Sequence, residues 1–270
     1  MRVDAHHHVW QVARGDYGWL QPSSPLHRDY GLDDLRPLLG DIEATVLVQA
    51  APTEAETEFM LQAAAASAGL VQGVVGWADL TDPAAVERAA KLPLLKGVRP
   101  MLQDIAMTDW IRQTAVQPGL AAMARAGLRL DALVQPRHLA VLLEVAGRHP
   151  DLPIVIDHAA KPAIAAGGWQ NWATDLARLG RETGAHCKLS GLITEAGPDW
   201  SVEALRPYVD HVINCFGPSR IMWGSDWPVV NLAGGYNRWR DATDSLLAGA
   251  STTERDAILG GTAMIFYGLN

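Results

Sequence analysis

The segment Val3–Trp10 reads VDAHHHVW and places three histidines in a row near the start of the 270-residue chain. Side chains alternate along a strand, so His6 and His8 share one face while His7 points to the other and is expected to pack behind the strand. Two imidazoles on one face could hold a divalent metal or donate hydrogen bonds to a carbonyl oxygen. A His-x-His pair alone is a weak signal, and the run would also fit a tag remnant or a core strand.

Other polar residues that could do chemistry follow apolar runs further along the chain. Ionisable side chains are costly to bury unless they contact one another or a ligand, so several at the ends of apolar runs predict a shared site. Structural alternatives exist: Arg99 could form an ion pair at a rim, and Asp226 could cap a helix. Asp131 and Lys188 could be a buried ion pair. The set consists of Arg99, Asp131, Asp157, His158, Lys188, Ser190, Ser225 and Asp226.

The residue types in this set predict hydrolysis by a water nucleophile. A third imidazole, His158, could join the first two around a metal ion or a carbonyl oxygen. A carboxylate at Asp226 could take a proton from water as a general base. Arg99 and Lys188 could bind anionic or hydroxylated parts of a substrate. No Gly-x-Ser-x-Gly elbow or Cys/His signature occurs, which argues against a covalent serine or cysteine route.

A barrel of parallel strands would bring these side chains together, because catalytic residues in such barrels lie at the carboxyl ends of the strands. Short runs rich in Val, Ile and Leu alternate with helical patterns, as expected of strands buried on both faces. We therefore predict one (β/α)8 TIM barrel over residues 1–270. A doubly wound open sheet is the alternative, although no Gly-x-Gly-x-x-Gly follows the first run. The predicted strands are 2–7, 44–50, 71–78, 94–100, 128–134, 153–159, 185–191 and 220–226.

Helix signals separate these strands. Capping boxes are predicted at Thr53 with Glu56 and at Ser251 with Glu254, and Asp82 before Pro83 forms an N-cap with proline at the first helical position. Glycines that would end helices are Gly69, Gly127 and Gly184.

Composition excludes several classes of protein. The net charge of −8 and the lack of a Lys/Arg cluster argue against nucleic acid as a partner. No apolar run approaches the ~20 residues of a membrane span, and no apolar stretch follows the first basic residue, so we expect a cytoplasmic protein. The two cysteines, Cys187 and Cys215, form no motif and are expected to be reduced packing residues.

Several motifs together resemble the amidohydrolase-related lactonases, a branch of the amidohydrolase superfamily. That branch includes L-fuconolactone and L-rhamnonolactone hydrolases and a pyrone-dicarboxylate lactonase. The matching segments keep their order from residue 3 to about 236, and GTAMIFYGL is similar to the closing helix of the family. The segments are VDAHHHVW, RGDYGWL, GVRPMLQD, VIDHAAKP, CKLSGLITEA and MWGSDWPVVNLAGGY. The resemblance implies a TIM barrel of amidohydrolase type.

The resemblance also implies roles for individual residues. His6, His8 and His158 would line the site, Asp226 would activate water, and Arg99 would contact the substrate. Further candidates for substrate binding are Trp10, Asp131, Lys188, Trp227 and Asn231.

The resemblance also bears on how many metal ions the site could hold. Two-metal members of the superfamily use a carboxylated lysine from strand four and a histidine from strand five. This chain has Arg99 and Asp131 there, and the positive Arg99 would disfavour a second cation. A single Zn²⁺ held by His6, His8, His158 and Asp226 is possible, but members of this branch differ in whether they need a metal, so a dispensable zinc also stays open. No organic cofactor is expected.

The predicted activity is hydrolysis of a small neutral sugar lactone to its acid. Tryptophan can stack on a sugar face, and the resemblance is strongest to the L-fuconolactonase group. The segment from about residue 11 to 31 is expected to be a loop over the mouth of the site. Two alternatives remain: a metal-dependent decarboxylase, since related barrels share these histidines and the aspartate, and a barrel that binds a sugar acid without turnover.

Overall fold

A computed structural model describes residues 1–270, and eight parallel strands lie at its centre. Each strand pairs with the next one along the chain. Beyond the last strand, the amide of Asp226 donates to the His6 carbonyl (2.8 Å) and the amide of His8 to the Trp227 carbonyl (2.7 Å), which joins the last strand to the first. The fold is therefore a (β/α)8 barrel, as predicted. The strands are β1 Val3–His7, β2 Ala44–Val48, β3 Val71–Gly76, β4 Leu95–Val98, β5 Arg129–Ala132, β6 Ile154–Ile156, β7 His186–Leu189 and β8 Ile221–Trp223.

All eight strands occur where they were predicted, but most end earlier than expected. The reason is clearest after β6, where four consecutive residues, 158–161, have positive φ angles of 49–62°. This left-handed backbone cannot continue a strand. The apolar run therefore extends past the hydrogen-bonded ladder, and its last polar residues lie in the loop that forms the site.

Helices surround the strands and supply the outer layer of the barrel. No helix is long and apolar enough to cross a membrane. The last two helices are joined by a wider turn over 257–261. The helices are α1 Leu32–Leu35, α2 Glu54–Ala65, α3 Pro83–Ala89, α4 Gln117–Ala126, α5 Leu139–Arg148, α6 Gln170–Glu182, α7 Leu192–Ala196, α8 Val202–Phe216, α9 Gly235–Leu246, α10 Thr252–Asp256 and α11 Thr262–Tyr267.

The predicted helix starts are confirmed in most details. The side chains of Thr53, Asp82 and Ser251 each accept a backbone N–H of the first turn, and Ser251 forms a full capping box with Glu254. The box at Thr53 is only half formed. The Glu56 carboxylate instead accepts the amides of Ala50 and Ala51 in the loop after β2, at 2.6–3.1 Å.

Of the predicted glycine caps at Gly127 and Gly184, one is confirmed and one is wrong. Gly127 caps α4 in the left-handed region with φ 71°, as predicted, whereas Gly184 does not cap α6. The residue after α6 is Thr183 in an extended conformation. Its hydroxyl donates to the Leu179 carbonyl (2.6 Å), and Arg220 donates to the Gly180 carbonyl (2.7 Å). Side chains thus satisfy the terminal carbonyls, and no left-handed glycine is needed.

The interior of the barrel is apolar at one end and charged at the other. Phe266 and Tyr267 of α11 pack against valines and alanines of the strands and close the amino-terminal end. Closer to the carboxyl ends of the strands, Asp131, Lys188 and Asp157 lie fully buried within one ion-paired cluster. The apolar closure excludes water from below, so a ligand can reach the charged layer only from the carboxyl end.

Candidate active site

Four site residues are brought to the carboxyl end of the barrel by three different strands. His6 is in β1 and His8 directly follows it, while His158 follows β6 and Asp226 follows β8. His158 and Asp226 have positive φ angles of 52° and 58°, which are uncommon for residues with side chains and are concentrated at functional sites. This backbone turns both side chains toward His6 and His8.

Close packing around these residues depends on a glycine. A Cβ atom added at Gly224 would lie 2.6 Å from the Cβ of His6. A side chain at position 224 would therefore push β1 away from the segment that follows β8 and carries Asp226.

The polar atoms of the four residues converge on a small volume. His6 Nε2 lies 3.2 Å from His8 Nε2, and His8 Nε2 lies 3.3 Å from Asp226 Oδ1. The same carboxylate oxygen is 3.8 Å from His6 Nε2 and 3.9 Å from His158 Nε2. All four side chains are almost completely buried. One carboxylate oxygen therefore faces three imidazole nitrogens.

Hydrogen bonds fix the Nδ1 atoms of His8 and His158, which point away from Asp226. His8 Nδ1 lies 2.8 Å from the Val48 carbonyl oxygen. Because a carbonyl can only accept, this nitrogen carries the proton and the His8 Nε2 lone pair faces the other site atoms. His158 Nδ1 lies 2.8 Å from the Ser190 hydroxyl. His7, on the other face of β1, is buried with its Nε2 2.9 Å from Thr45 Oγ1, so it packs behind the strand as predicted.

Arg99 follows β4 and lies within the site rather than at a rim. Its Nη1 is 3.3 Å from Asp157 Oδ2 and 3.5 Å from His6 Nε2, and its Nη2 donates to the Gln49 carbonyl. Gln49 in turn donates to the Arg99 carbonyl at 2.6 Å. Contacts on both sides of the guanidinium fix its position beside the histidines.

Asp131 and Lys188 lie beneath the site and have no exposed surface. Lys188 Nζ is 2.5 Å from Asp131 Oδ2, which also accepts the Tyr267 hydroxyl at 2.6 Å. The same Nζ is 3.1 Å from Asp157 Oδ1 and 3.1 Å from His6 Nδ1. The prediction that these two residues bind substrate is corrected by their burial: they contact other protein groups and leave no face for a ligand.

The four residues and Arg99 border a cavity of about 170 Å³ that opens at the carboxyl end of the barrel. All of them except His6 line its wall, and His6 lies directly behind. Trp19 lines the mouth with 41% of its surface exposed, and its indole N–H donates to the Ala50 carbonyl (2.8 Å). The predicted loop 11–31 thus supplies one wall. The lining residues are His8, Trp19, Ala50, Arg99, Met101, Gln103, Asp104, Leu133, His158, Lys161, Asp226 and Val229.

Three predicted substrate-binding residues do not reach this cavity. Trp10 is buried among Tyr17, Trp19 and Tyr30, and its indole N–H donates to the Arg28 carbonyl at 2.8 Å. Trp227 is buried with its ring 5.4 Å from that of Tyr30. Asn231 is exposed in the turn before α9. The two indoles hold the mouth loop against the barrel, which explains their place beside site motifs.

Sequence reasoning missed four polar or aromatic residues of the cavity wall: Trp19, Gln103, Asp104 and Lys161. All four lie inside segments that were singled out for other residues, RGDYGWL, GVRPMLQD and VIDHAAKP. Position within a motif was therefore the available signal.

Charges in the site are set by burial and by neighbouring groups. Burial lowers the pKa of His158 to about 4 and also lowers the pKa values of His6 and His8. Burial acts to raise the pKa of Asp226, but the adjacent histidines outweigh this effect, and the net pKa lies well below its usual range. At neutral pH the site therefore combines an ionised carboxylate with neutral imidazoles.

The donor atoms of His6, His8 and Asp226 fit a single zinc ion in type and spacing. Zinc bonds of about 2.0–2.1 Å to imidazole nitrogen and carboxylate oxygen place tetrahedral ligand atoms about 3.3–3.4 Å apart, and the separations among these three residues are 3.2–3.8 Å. His6, His8 and Asp226 form one candidate group, with His158 adjacent. A second group contains Asp157, but that carboxylate is already paired with Arg99 and Lys188.

The chain is similar to known proteins along nearly its whole length. An amidohydrolase family model matches residues 3–269. The chain is 44% identical to an L-fucono-1,5-lactonase of Burkholderia ambifaria, over 98% of this chain and 95% of that protein. It is 34% identical to an L-fucono-1,5-lactonase of Burkholderia multivorans, over 100% of this chain and 96% of that protein.

A solved structure also resembles this one throughout. It is an amidohydrolase from Burkholderia multivorans with bound zinc, 35% identical, with a TM-score of 0.94 over the full length of both chains. The family match, the near-complete coverage and the barrel with its His-x-His, later histidine and final aspartate agree. The chain belongs to the amidohydrolase family.

Proposed function

We propose that this protein hydrolyses a sugar lactone to the open-chain sugar acid. The observation that carries the proposal is the Asp226 carboxylate oxygen, which lies 3.3–3.9 Å from three imidazole nitrogens beside a cavity of about 170 Å³. The relatives named L-fucono-1,5-lactonase support this reaction and do not favour the decarboxylase alternative. L-Fucono-1,5-lactone is the first substrate to test.

Asp226 acts as the general base in this proposal. Its low pKa keeps it ionised at neutral pH, and it lines the cavity. A water molecule within hydrogen-bond reach of Asp226 would lose a proton to it while attacking the lactone carbonyl carbon. The histidines are neutral at neutral pH, because burial disfavours their charged forms.

Arg99 stabilises the negative charge that develops on the carbonyl oxygen. Its guanidinium lies at the cavity wall, held by Asp157 and Gln49, so it needs no reorganisation as the charge forms. If zinc is bound, His6, His8, His158 and Asp226 would hold it, and it would act as a Lewis acid toward the carbonyl. Ring opening then requires a proton on the departing ring oxygen, which protonated Asp226 returns.

The cavity wall suits a small sugar. Gln103, Asp104 and Lys161 can bond to ring hydroxyls, and Trp19 offers an aromatic face at the mouth. Arg99 and Lys161 are the only cationic side chains among the lining residues. A dicarboxylate substrate, with two anionic groups to neutralise in addition to the oxyanion, would fit this wall less well.

The function is tested with a pH-indicator assay on a panel of 1,4- and 1,5-sugar lactones, before and after chelation of metals. We expect fastest turnover of L-fucono-1,5-lactone, and turnover at least ~10²-fold slower in Asp226→Asn. Activity that survives chelation would assign carbonyl polarisation to Arg99 and the histidines, whereas activity restored by zinc would assign it to the metal. Absence of turnover on every lactone would refute the proposal.

A further inference from the structure

The buried amine of Lys188 contacts His6. An amine is an unusual partner for a histidine that could bind a metal ion. Lys188 Nζ lies 3.1 Å from His6 Nδ1, with Asp131 Oδ2 at 2.5 Å and Asp157 Oδ1 at 3.1 Å. Metal-bound histidines almost always donate their outer N–H to an acceptor such as a carboxylate or a carbonyl. An ammonium group can only donate. The contact therefore requires His6 Nδ1 to accept.

The shorter contact on the inner side of the His6 ring fits the same assignment, and Arg99 Nη1, 3.5 Å from His6 Nε2, lies closer to its acceptor Asp157 Oδ2 at 3.3 Å. His6 Nε2 lies 3.2 Å from His8 Nε2, and the His8 Nε2 lone pair is free because His8 donates to Val48 from its other nitrogen. With the proton on His6 Nε2, donors and acceptors alternate from Lys188 through His6 and His8 to the Val48 carbonyl. With the proton on Nδ1, two donors would face each other at one nitrogen and two lone pairs at the other.

We propose that Lys188 is a positioning residue that holds His6 in the Nε2–H tautomer and thereby opposes zinc binding at the site. Zinc coordination by His6 Nε2 requires its lone pair, so the proton must move to Nδ1, where it meets the Lys188 ammonium. The alternative acceptor, Asp157 Oδ1, lies 3.5 Å from His6 Nδ1 and forms an ion pair with Lys188 at 3.1 Å. Removal of the amine would let His6 Nδ1–H bond with this oxygen and free Nε2 for metal.

The inference rests on the proposed lactonase function, because a His6 Nε2–H donates to His8, whereas a His6 Nε2 lone pair would be a metal ligand. Lys188 thus favours carbonyl polarisation by Arg99 over polarisation by a metal ion. The tests below measure metal and proton positions and use no lactone, so their outcome is independent of whether the protein turns over a lactone.

The metal test uses a charge-balanced variant. Lys188→Met alone would leave two buried carboxylates with one fewer cation, which is strongly destabilising. Lys188→Met combined with Asp131→Asn removes one positive and one negative charge that lie 2.5 Å apart, so the net charge of the cluster is unchanged. Asp131→Asn alone is the matched control, because it keeps the contact between Lys188 and His6.

Zinc affinity is measured by competition with a fluorescent chelator on the full-length proteins. The double variant is expected to bind zinc about 10- to 100-fold more tightly than the wild type, the range that outer partners of metal-bound histidines control. Asp131→Asn is expected to bind zinc no more tightly than the wild type. Equal affinities of the double variant and the wild type would overturn the proposal.

A spectroscopic test does not depend on any variant folding at position 188. The metal-free wild type is labelled with ¹⁵N-histidine, and the ring signals of His6 are identified by their loss in His6→Gln. A protonated Nε2 and an unprotonated Nδ1 are expected. A protonated Nδ1 in the metal-free wild type would refute the role of Lys188.

Discussion

Asp226 and His8 lie 218 residues apart in the chain, yet the carboxylate oxygen of one is 3.3 Å from the Nε2 of the other. Their meeting depends on closure of the barrel, since the amides of Asp226 and His8 both bond across the junction between β8 and β1. The proposed general base and its neighbours therefore lie at the junction where the two ends of the sheet join.

Asp226→Asn is expected to lower kcat for L-fucono-1,5-lactone at least ~10²-fold, the low end for loss of a general base. The amide is isosteric and retains one oxygen toward His8, so the folded structure should persist. The measurement is steady-state turnover together with circular dichroism and thermal unfolding. Asn231→Ala, an exposed change outside the cavity, serves as the control and should keep wild-type kcat. Near-normal turnover in Asp226→Asn would remove Asp226 from the role of base.

Arg99→Met is expected to lower kcat by about 10²–10³-fold, as removal of an oxyanion donor does. Arg99→Lys keeps the charge but cannot contact both Asp157 and Gln49 as the guanidinium does, so an intermediate loss is expected. Full kinetic curves separate kcat from KM. A variant with unchanged kcat and only a raised KM would mean that Arg99 binds the ground state and does not stabilise the oxyanion.

Trp19→Ala is expected to weaken substrate binding, whereas Trp10→Ala is expected to destabilise the fold. Trp19 is 41% exposed at the mouth of the cavity, so its loss is expected to raise KM several-fold, with little change in stability. Trp10 is fully buried, and its truncation is expected to destabilise the fold by about 3–5 kcal/mol. Kinetics and urea unfolding of both variants check the pair. Equal stability losses would contradict the assignment of Trp10 as the anchor of the loop.

His186 should make stability sensitive to pH. Burial against Phe266 lowers the pKa of His186 to about 4, below the ordinary value of about 6.5. The unfolded chain therefore binds this proton first, and the stability contributed by the neutral ring is lost as pH falls from about 6.5 toward 4. His186→Gln removes this titration, so its free energy of unfolding should fall less steeply over that window. Urea unfolding at a series of pH values measures both slopes, and parallel slopes would refute the prediction.

The barrel could be predicted from the sequence because its signals are local. Short runs of β-branched and aliphatic residues alternate with capped helical segments, and each signal depends on neighbours within a few residues. Caps such as Asp82 and Ser251 form in the structure as predicted. Gly184 does not cap its helix, because Arg220, distant in the chain, supplies the hydrogen bond that a left-handed glycine would have made possible.

Some residues of the candidate site could be predicted from the sequence and others could not. Residue type and position at the ends of strands placed His6, His8, Arg99, His158 and Asp226 in a larger candidate set, since parallel strands in a barrel end on one side. The family resemblance then singled out these five. Position in the sequence could not distinguish Trp19, which lines the cavity, from Trp10, which supports the loop. The direction of a side chain beyond the end of a strand depends on loop backbone that no periodic pattern describes.

The sequence by itself determined the fold and the chemical inventory of the site, because strand periodicity, helix caps and residue types are properties of short segments. Only the tertiary structure decided which groups touch. In the folded barrel, Asp131 and Lys188 are buried beneath His6. The Lys188 ammonium lies next to His6 Nδ1, although the two residues are 182 positions apart in the chain. Contacts of that kind depend on the register and closure of the whole barrel, so the proton position on His6, and with it the competition with zinc, is a property of the folded molecule.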